Sequence, residues 1–469
     1  MTKLLELSLT DLCRTLTDRE ASPVDLMKEV FERIDGVNDR VTALVSFADR
    51  DKLLADARAA EQRIAEGRGR PLEGIPLGVK DLEDVEGMIT SYGSVPFKDT
   101  LATRDSTQVA RLRAAGALVV GKTNTPEFGS AAFTRNLLFG ESRNPWSLEH
   151  SPGGSSGGSS AALVAGILPL VTGSDGGGSV RIPACLVGAF GLKPSYGRIP
   201  NGPRDRWHWI DTEHHGPITR TVADGAFFLD QVCGPSEWDE TSLPAPGYSY
   251  VQKLQEGLPD GLRIAYSPDL GEAVVQREVA EAVGSGVDVF RSLGHQVNDL
   301  EGGPPRVTAG WVYLNSLDEY AHFKPMLAEH EGGFGRGFIA AAKAVANDTP
   351  DRLELMIRRR AELIAWTAQL FEQHDLLLTP TVAYDGHPAR GPYPTEIDGK
   401  PAHATGPAAF TVPFNLTGHP AATVRVGISS NGLPMGMQIV GPRHRDDLVL
   451  QAAAAFERER PWHPNWPQL

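Results

Sequence analysis

Three short stretches bring together residues whose types and spacing could do chemistry. GIPLGVKD at 74–81 ends an apolar run on Lys80, SPGGSSGGSS covers 151–160, and GSDGGGSV covers 173–180. Glycine permits positive φ and close backbone approach, so GSDGGGSV can turn several consecutive N–H groups toward one point, which is how a backbone oxyanion hole is made. Ser179 ends that turn and would stand beside it. A serine hydroxyl is a poor nucleophile without a base. The 13 histidines are scattered, and none falls at a spacing that proposes a Ser–His pair or a metal site. Adjacent His214 and His215 would point to opposite faces of an extended chain. Lys80 is the other candidate: loss of water at the end of an apolar strand disfavours the ammonium and lowers its pKa from about 10.4, as a lysine base requires. The same position also suits a solvated or salt-bridged lysine, with Asp81 next door as its partner.

Competing motif readings fail on context. GALVVGKT at 116–123 matches a phosphate-binding loop, but its interior Leu118-Val119-Val120 reads as the strand itself rather than as a flexible cradle. Gly153 to Gly157 satisfies the Gly-x-Ser-x-Gly of a nucleophile elbow, which needs a strand running into it; the preceding NPWSLEHSP is a polar loop broken by proline. A flexible linker should have polar flanks, whereas AALVAGILPLV follows at once and must be packed inside. The Gly/Ser run therefore has a fixed shape.

The surrounding elements must hold that shape. Ser8 and Ser22 open capping patterns, the second with Pro23 at a tolerated first position, and with 52–67 they make the segment 1–68 read as helical. Strands are expected at IPLGVKD, ALVVGKT, ILPLVTG, LRIAYS, HDLLLTPT, AATVRVGI and GLPMGMQIVG. Helices are expected at 107–115, 221–232, 274–293, 352–373 and 446–459, and 234–260 and 383–405 read as surface excursions. This alternation predicts an α/β fold around a largely buried, mostly parallel or mixed sheet.

With 469 residues, 41% of them hydrophobic, the chain can bury a large core. A net charge of −14 argues against a sequence-independent grip on nucleic acid or anionic lipid, so a small or neutral substrate fits better. Cys13, Cys185 and Cys233 lie far apart, which suggests neither a disulfide framework nor a thiolate metal site; Cys185 reads as a small core residue rather than a nucleophile. Glu6 and Asp11 interrupt any signal-peptide core, and no long apolar run occurs, so a cytoplasmic protein off the membrane is expected.

The motifs in combination resemble the amidase signature family. Besides the three stretches above, GKTNTPEF at 121–128, GSDGGGSVRIPA at 173–184, GLKPSYGR at 191–198 and HGPITRTVAD at 215–224 fit it. So do LLLTPT at 376–381, FNLTGHPA at 414–421 and GLPMGMQIVG at 432–441, and the likeness runs from about residue 5 to 460. The resemblance implies one amidase domain over 1–469, with a helical segment at 1–68, a signature core at 69–232 and pocket elements in 233–469. Its fold would be a large central mixed sheet with helices on both faces. It assigns Lys80 as base, Ser155, in a cis peptide, as bridging serine, and Ser179 as nucleophile; the two serines keep the family's separation along the chain. The backbone N–H groups of Gly176, Gly177, Gly178 and Ser179 would hold the oxyanion, while Ser156, Asp175 and Arg181 support the turn. No metal or cofactor is implied. Gly176 departs from the Thr or Ile common in the family, which implies a looser turn or a wider acyl site.

Substrate lies outside the signature. Trp207, Trp209, Trp311, Tyr313, Phe334 and Phe338 fall where family pockets are usually assembled; if they line the mouth rather than the core, a bulky apolar or aryl substrate is favoured. The motif versions look closest to bacterial hydrolases of aryl amides, cyclic amides or carbamates, acting as monomer or homodimer on a small-molecule amide, ester or carbamate. Alternatives are the glutaminase-type A subunit of a tRNA-dependent amidotransferase, against which Thr125-Pro126 and Ile182 stand, and an inactive scaffold on the same fold.

Overall fold

A computed structural model describes residues 3–204, 211–327, 329–403 and 406–469. Its described residues form the expected α/β architecture with a large mixed sheet, accompanied by a second, four-stranded one. The larger sheet has seven strands in the order Ile218–Thr219, Phe190–Lys193, Ala421–Ile428, Pro434–Val440, Leu376–Pro380, Arg263–Tyr266 and Gln296–Asp299. The last three run parallel to one another and the other neighbours pair antiparallel.

Helices cover both faces of this sheet because successive strand residues point opposite ways. A Cβ on Gly436 would lie 2.7 Å from the Cys185 sulfur of the helix Arg181–Val187. The next residue, Met437, meets the other face, its sulfur 3.4 Å from where a Cβ of Gly286 would stand on the helix Arg277–Ser292. Burial raises the Cys185 thiol to about 12, consistent with a core residue.

The smaller sheet positions the chemistry. Its order is Leu44–Phe47, Leu118–Thr123, Pro76–Lys80 and Leu170–Val171, the last three parallel, so Lys80 and Thr172 emerge side by side at the strands' C-terminal ends. That is where open α/β sheets place their ligands. The strand Pro76–Lys80 is buried throughout.

The segment 1–68 departs from an all-helical reading. Ser8 and Ser22 do cap helices, accepting from the N–H groups of Asp11 and Val24. After the second helix, however, Thr42 turns left-handed and Leu44–Phe47 joins the sheet antiparallel to Leu118–Thr123. The interior of GALVVGKT is that partner strand. The excursion at 234–260 contains the short helix Tyr250–Gln255 with a buried Tyr250. No helix among the described residues is long and apolar enough to cross a membrane.

Candidate active site

The Gly/Ser run is a packed element. Gly157–Val164 is a fully buried helix that begins inside it. Its glycines are required by contact: a Cβ on Gly158 would lie 2.3 Å from the Asn124 nitrogen, and one on Gly154 would lie 2.8 Å from the Ala131 carbonyl oxygen. Gly153 also adopts φ +84°, a left-handed conformation that favours glycine. The Gly154–Ser155 peptide is cis.

Lys80 and Ser155 come together. Lys80 is completely buried, and its Nζ lies 2.8 Å from Ser155 Oγ, 3.0 Å from Ser174 Oγ and 3.2 Å from the Ser174 carbonyl oxygen. Burial lowers its pKa to about 8, against the opposing pull of Glu213, Glu83 and Asp175. A neutral amine there can donate two N–H bonds to Ser174 and aim its lone pair at the Ser155 hydroxyl. Asp81 is not its partner: that carboxylate hydrogen-bonds Ser91 and lies 3.5 Å from Lys122.

Ser179 stands on the adjoining turn, partly exposed, while Ser155 is buried. Ser156 joins the two loops, its N–H donating to the Ser179 carbonyl at 3.2 Å and its hydroxyl to the Ser174 carbonyl at 3.2 Å. The Ser155 and Ser179 hydroxyls share no hydrogen bond in this structure.

A buried ion pair braces the turn that carries Ser179. Asp175 and Arg181 are both fully buried and pair through Arg181 Nη2 and Nε at 2.8 and 3.0 Å. Burial alone would raise the Asp175 carboxyl, but the guanidinium beside it pulls it well below the usual carboxylate range. Arg181 also donates to the Thr411 carbonyl, Gln438 and Asn415, and the Asn415 amide returns to Asp175 at 2.7 and 2.8 Å.

These contacts narrow the expected oxyanion donors. The Gly178 N–H is spent on Asp175 Oδ1 at 2.7 Å, which removes it from the set. The N–H groups of Gly176, Gly177 and Ser179 have no partner among the described residues. The carbonyls that share a peptide plane with these three N–H groups are held from behind: that of Asp175 accepts from the Asn415 amide at 2.7 Å, that of Gly176 from Trp311 Nε1 at 2.9 Å and that of Gly178 from the Ile182 N–H at 2.7 Å, while Thr411 Oγ1 donates to the Gly177 carbonyl at 2.6 Å.

The aromatic candidates separate. Trp207 and Trp209 lie outside the described residues. Trp311 reaches the site, its ring so close that a Cβ on Gly177 would fall 2.3 Å from it. Tyr313, two residues on and therefore on another face of the helix Thr308–Leu327, is buried with the Arg352 guanidinium 4.3 Å over its ring, so it does not join Trp311. Phe334 and Phe338 are core residues packed with Leu82, Tyr92, Phe128 and Phe323. They stand one layer back: Phe128 precedes Gly129, whose Cβ would lie 3.2 Å from Ser155 Oγ.

Ser174, Thr172, Thr411, Asn415 and Gln438 had no expected role. Ser174 lies inside the motif 173–180 and Thr172 just before it; Asn415 and Gln438 lie inside the recognised stretches 414–421 and 432–441, but nothing local tells that they reach this turn, and Thr411 lies in no motif.

Residues 25–450 match the family profile described as Amidase. The chain belongs to the amidase signature family. It is 37% identical to an acylamidase of Rhodococcus erythropolis, over 98% of this chain and 97% of that protein. It is 33% identical to a glutamyl-tRNA(Gln) amidotransferase A subunit from a Roseiflexus species, over 100% and 99%. Its fold superposes on the crystal structure of a bacterial aryl acylamidase of the same family with a TM-score of 0.91 and 30% identity, covering 97% of this chain and 96% of that one. The amidase is accordingly an amidohydrolase acting on C–N bonds other than peptide bonds, with small-molecule amides as its substrate class.

Proposed function

We propose that this amidase cleaves amides through an acyl-enzyme on Ser179, with Lys80 as base and Ser155 as the shuttle between them. The observation that carries the reading is the buried Lys80 amine, 2.8 Å from the Ser155 hydroxyl and with its pKa lowered to about 8. Ser155 passes its proton to Lys80 and takes the Ser179 proton as Ser179 Oγ attacks the carbonyl carbon. The oxyanion forms against the N–H groups of Gly176, Gly177 and Ser179, each such donor typically worth about 3 kcal/mol of barrier. As the C–N bond breaks, Ser155 delivers a proton to the departing amine and recovers one from Lys80. Water then enters and repeats the relay to release the acid.

Aryl amides are the favoured substrates, on the likeness to the two acylamidases and the indole of Trp311 beside the turn. A carbamate or ester would undergo the same attack, the carbamate losing carbon dioxide after deacylation. The amidotransferase relative keeps a second reading in view, and a stoichiometric partner on purification would favour it.

Covalent labelling with a fluorophosphonate, followed by peptide mapping, is expected to mark Ser179. Ser179→Ala should lose both the label and anilide turnover, by about a million-fold if the residues act as a unit. Retained turnover by that variant would falsify the nucleophile assignment. A parallel screen of anilides, primary amides, esters and carbamates ranks the substrate classes.

A further inference from the structure

The helix Thr308–Leu327 carries Trp311, Asn315, Glu319 and Phe323 at intervals of four, so they form one stripe about 18 Å long. Both ends of the stripe rest on the active-site loops. Trp311 holds the Gly176 carbonyl, and the Phe323 ring packs on that of Phe128 with centroids 4.3 Å apart. The two polar residues between them are less fully engaged. The Asn315 amide nitrogen donates to the Trp311 carbonyl of its own helix at 2.8 Å. Glu319, only 4% exposed, accepts from the Ser130 hydroxyl through Oε1, and its Oε2 has no hydrogen-bond partner among the described residues. That oxygen is not sealed off by the chain, so in an otherwise desolvated position it is an open acceptor that a donor from outside the chain can reach.

Its place identifies what that donor belongs to. Ser130 is exposed and follows Gly129, the residue that backs onto Ser155 Oγ. Ser130 and Glu319 therefore flank the side of the site where Ser155 stands. On the mechanism above, which this argument adopts, Ser155 protonates the leaving amine, so the amine half of the substrate lies on that side. We infer that Glu319 is a specificity-determining residue whose Oε2 accepts a hydrogen bond from a second N–H group on the amine half of the substrate, as on an aryl amine bearing another amino or acylamino group.

The surroundings suit an uncharged donor. Burial pushes the Glu319 carboxyl up to about 8; the Ser130 hydrogen bond opposes the rise, and Asp318 and Glu127 add to it. At neutral pH most of the carboxyl is protonated, and with Oε1 accepting from Ser130 the proton sits on Oε2, which then donates rather than accepts. Above about 8 it ionises, and Oε2 becomes a charged acceptor for the substrate N–H, a bond roughly twice as strong as a neutral one.

The test compares two anilides with the same acyl group, one with an amino and one with a methyl substituent at the same ring position, by the ratio of their kcat/KM values. Measured above pH 8, Glu319→Met should lower the amino-to-methyl ratio by about tenfold, the loss of one hydrogen bond to a polar acceptor. Displacement of Ser130 would slow both substrates alike and leave the ratio alone. In the unaltered enzyme the ratio should rise as pH passes about 8, while titration of Lys80 affects both substrates equally and cancels. An unchanged ratio in Glu319→Met overturns the inference, as does a flat ratio in the unaltered enzyme should that variant not fold. In either case, continued turnover of both anilides and labelling of Ser179 leave the serine-hydrolase reading standing, whereas failure to label Ser179 removes that reading itself.

Discussion

The turn that carries Ser179 and the helix wall beside it meet at Trp311, yet they are held by different forces. From Ser174 to Arg181 the polar groups are tied down apart from the N–H groups of Gly176, Gly177 and Ser179 and the Ser179 hydroxyl. A fully buried carboxylate–guanidinium pair sits at the centre, Asn415, Gln438 and Thr411 close around it, and glycines allow approaches too tight for a side chain. The wall formed by Thr308–Leu327 and Arg336–Val345 is instead joined largely by aromatic packing, with Phe323 against Phe338 at 5.6 Å and Phe334 against Phe338 at 5.3 Å. Hydrogen-bonded networks are directional and penalise any missing member, whereas apolar contacts tolerate a change of shape. The difference separates chemistry, which needs atoms fixed to fractions of an ångström, from recognition, which can vary while the turn stays the same.

Substitutions sharpen this contrast in order of expected effect. Lys80→Ala should reduce kcat by about a thousandfold or more, because no other group among the described residues is hydrogen-bonded to the Ser155 hydroxyl to accept its proton. In the unaltered enzyme, kcat/KM should rise with pH and level off above about 8, since only the neutral amine accepts a proton and burial has brought its titration down to that range. A profile centred near 10 would mean that Lys80 is not the base.

Arg181→Met comes next. It leaves the Asp175 carboxylate buried without its cation, which costs about 3–5 kcal/mol. The loss should be visible as a lower urea midpoint, with slower acylation because Asp175 no longer holds the Gly178 N–H in place.

Phe338→Leu should do least. Loss of one ring from the aromatic cluster costs about 1 kcal/mol of stability, and kcat/KM for a small anilide should stay within about threefold. If Arg181→Met proved as mild as Phe338→Leu by both measures, the distinction between a rigid turn and a tolerant wall would fail.

Much of the fold was legible because its signals are local. Ser8 and Ser22 cap helices through contacts with near neighbours in the chain, and apolar runs such as LLLTP and AATVRVGI become buried strands. The strand Leu44–Phe47 escaped because so short a run between two helices shows little periodicity of its own and is extended by its partner. The helix Thr308–Leu327 was not assigned because its apolar residues, Trp311, Val312, Tyr313 and Leu314 among them, occur on every face and leave no single stripe to read.

In the site, residue types pointed to Lys80 at the end of an apolar strand and to Ser179 on a glycine-rich turn, whereas Ser155 was assigned only through the resemblance to the amidase signature family. Tertiary structure alone decided that Gly178 is occupied by Asp175 while Gly176, Gly177 and Ser179 are not. It also decided that Lys80 faces Ser155 rather than Asp81, and that Trp311 belongs to the turn while Tyr313 lies under Arg352. Those outcomes depend on which side chains arrive from distant parts of the chain and on how much water they displace; hydrogen bonding and burial act through space, and sequence neighbours carry little record of them.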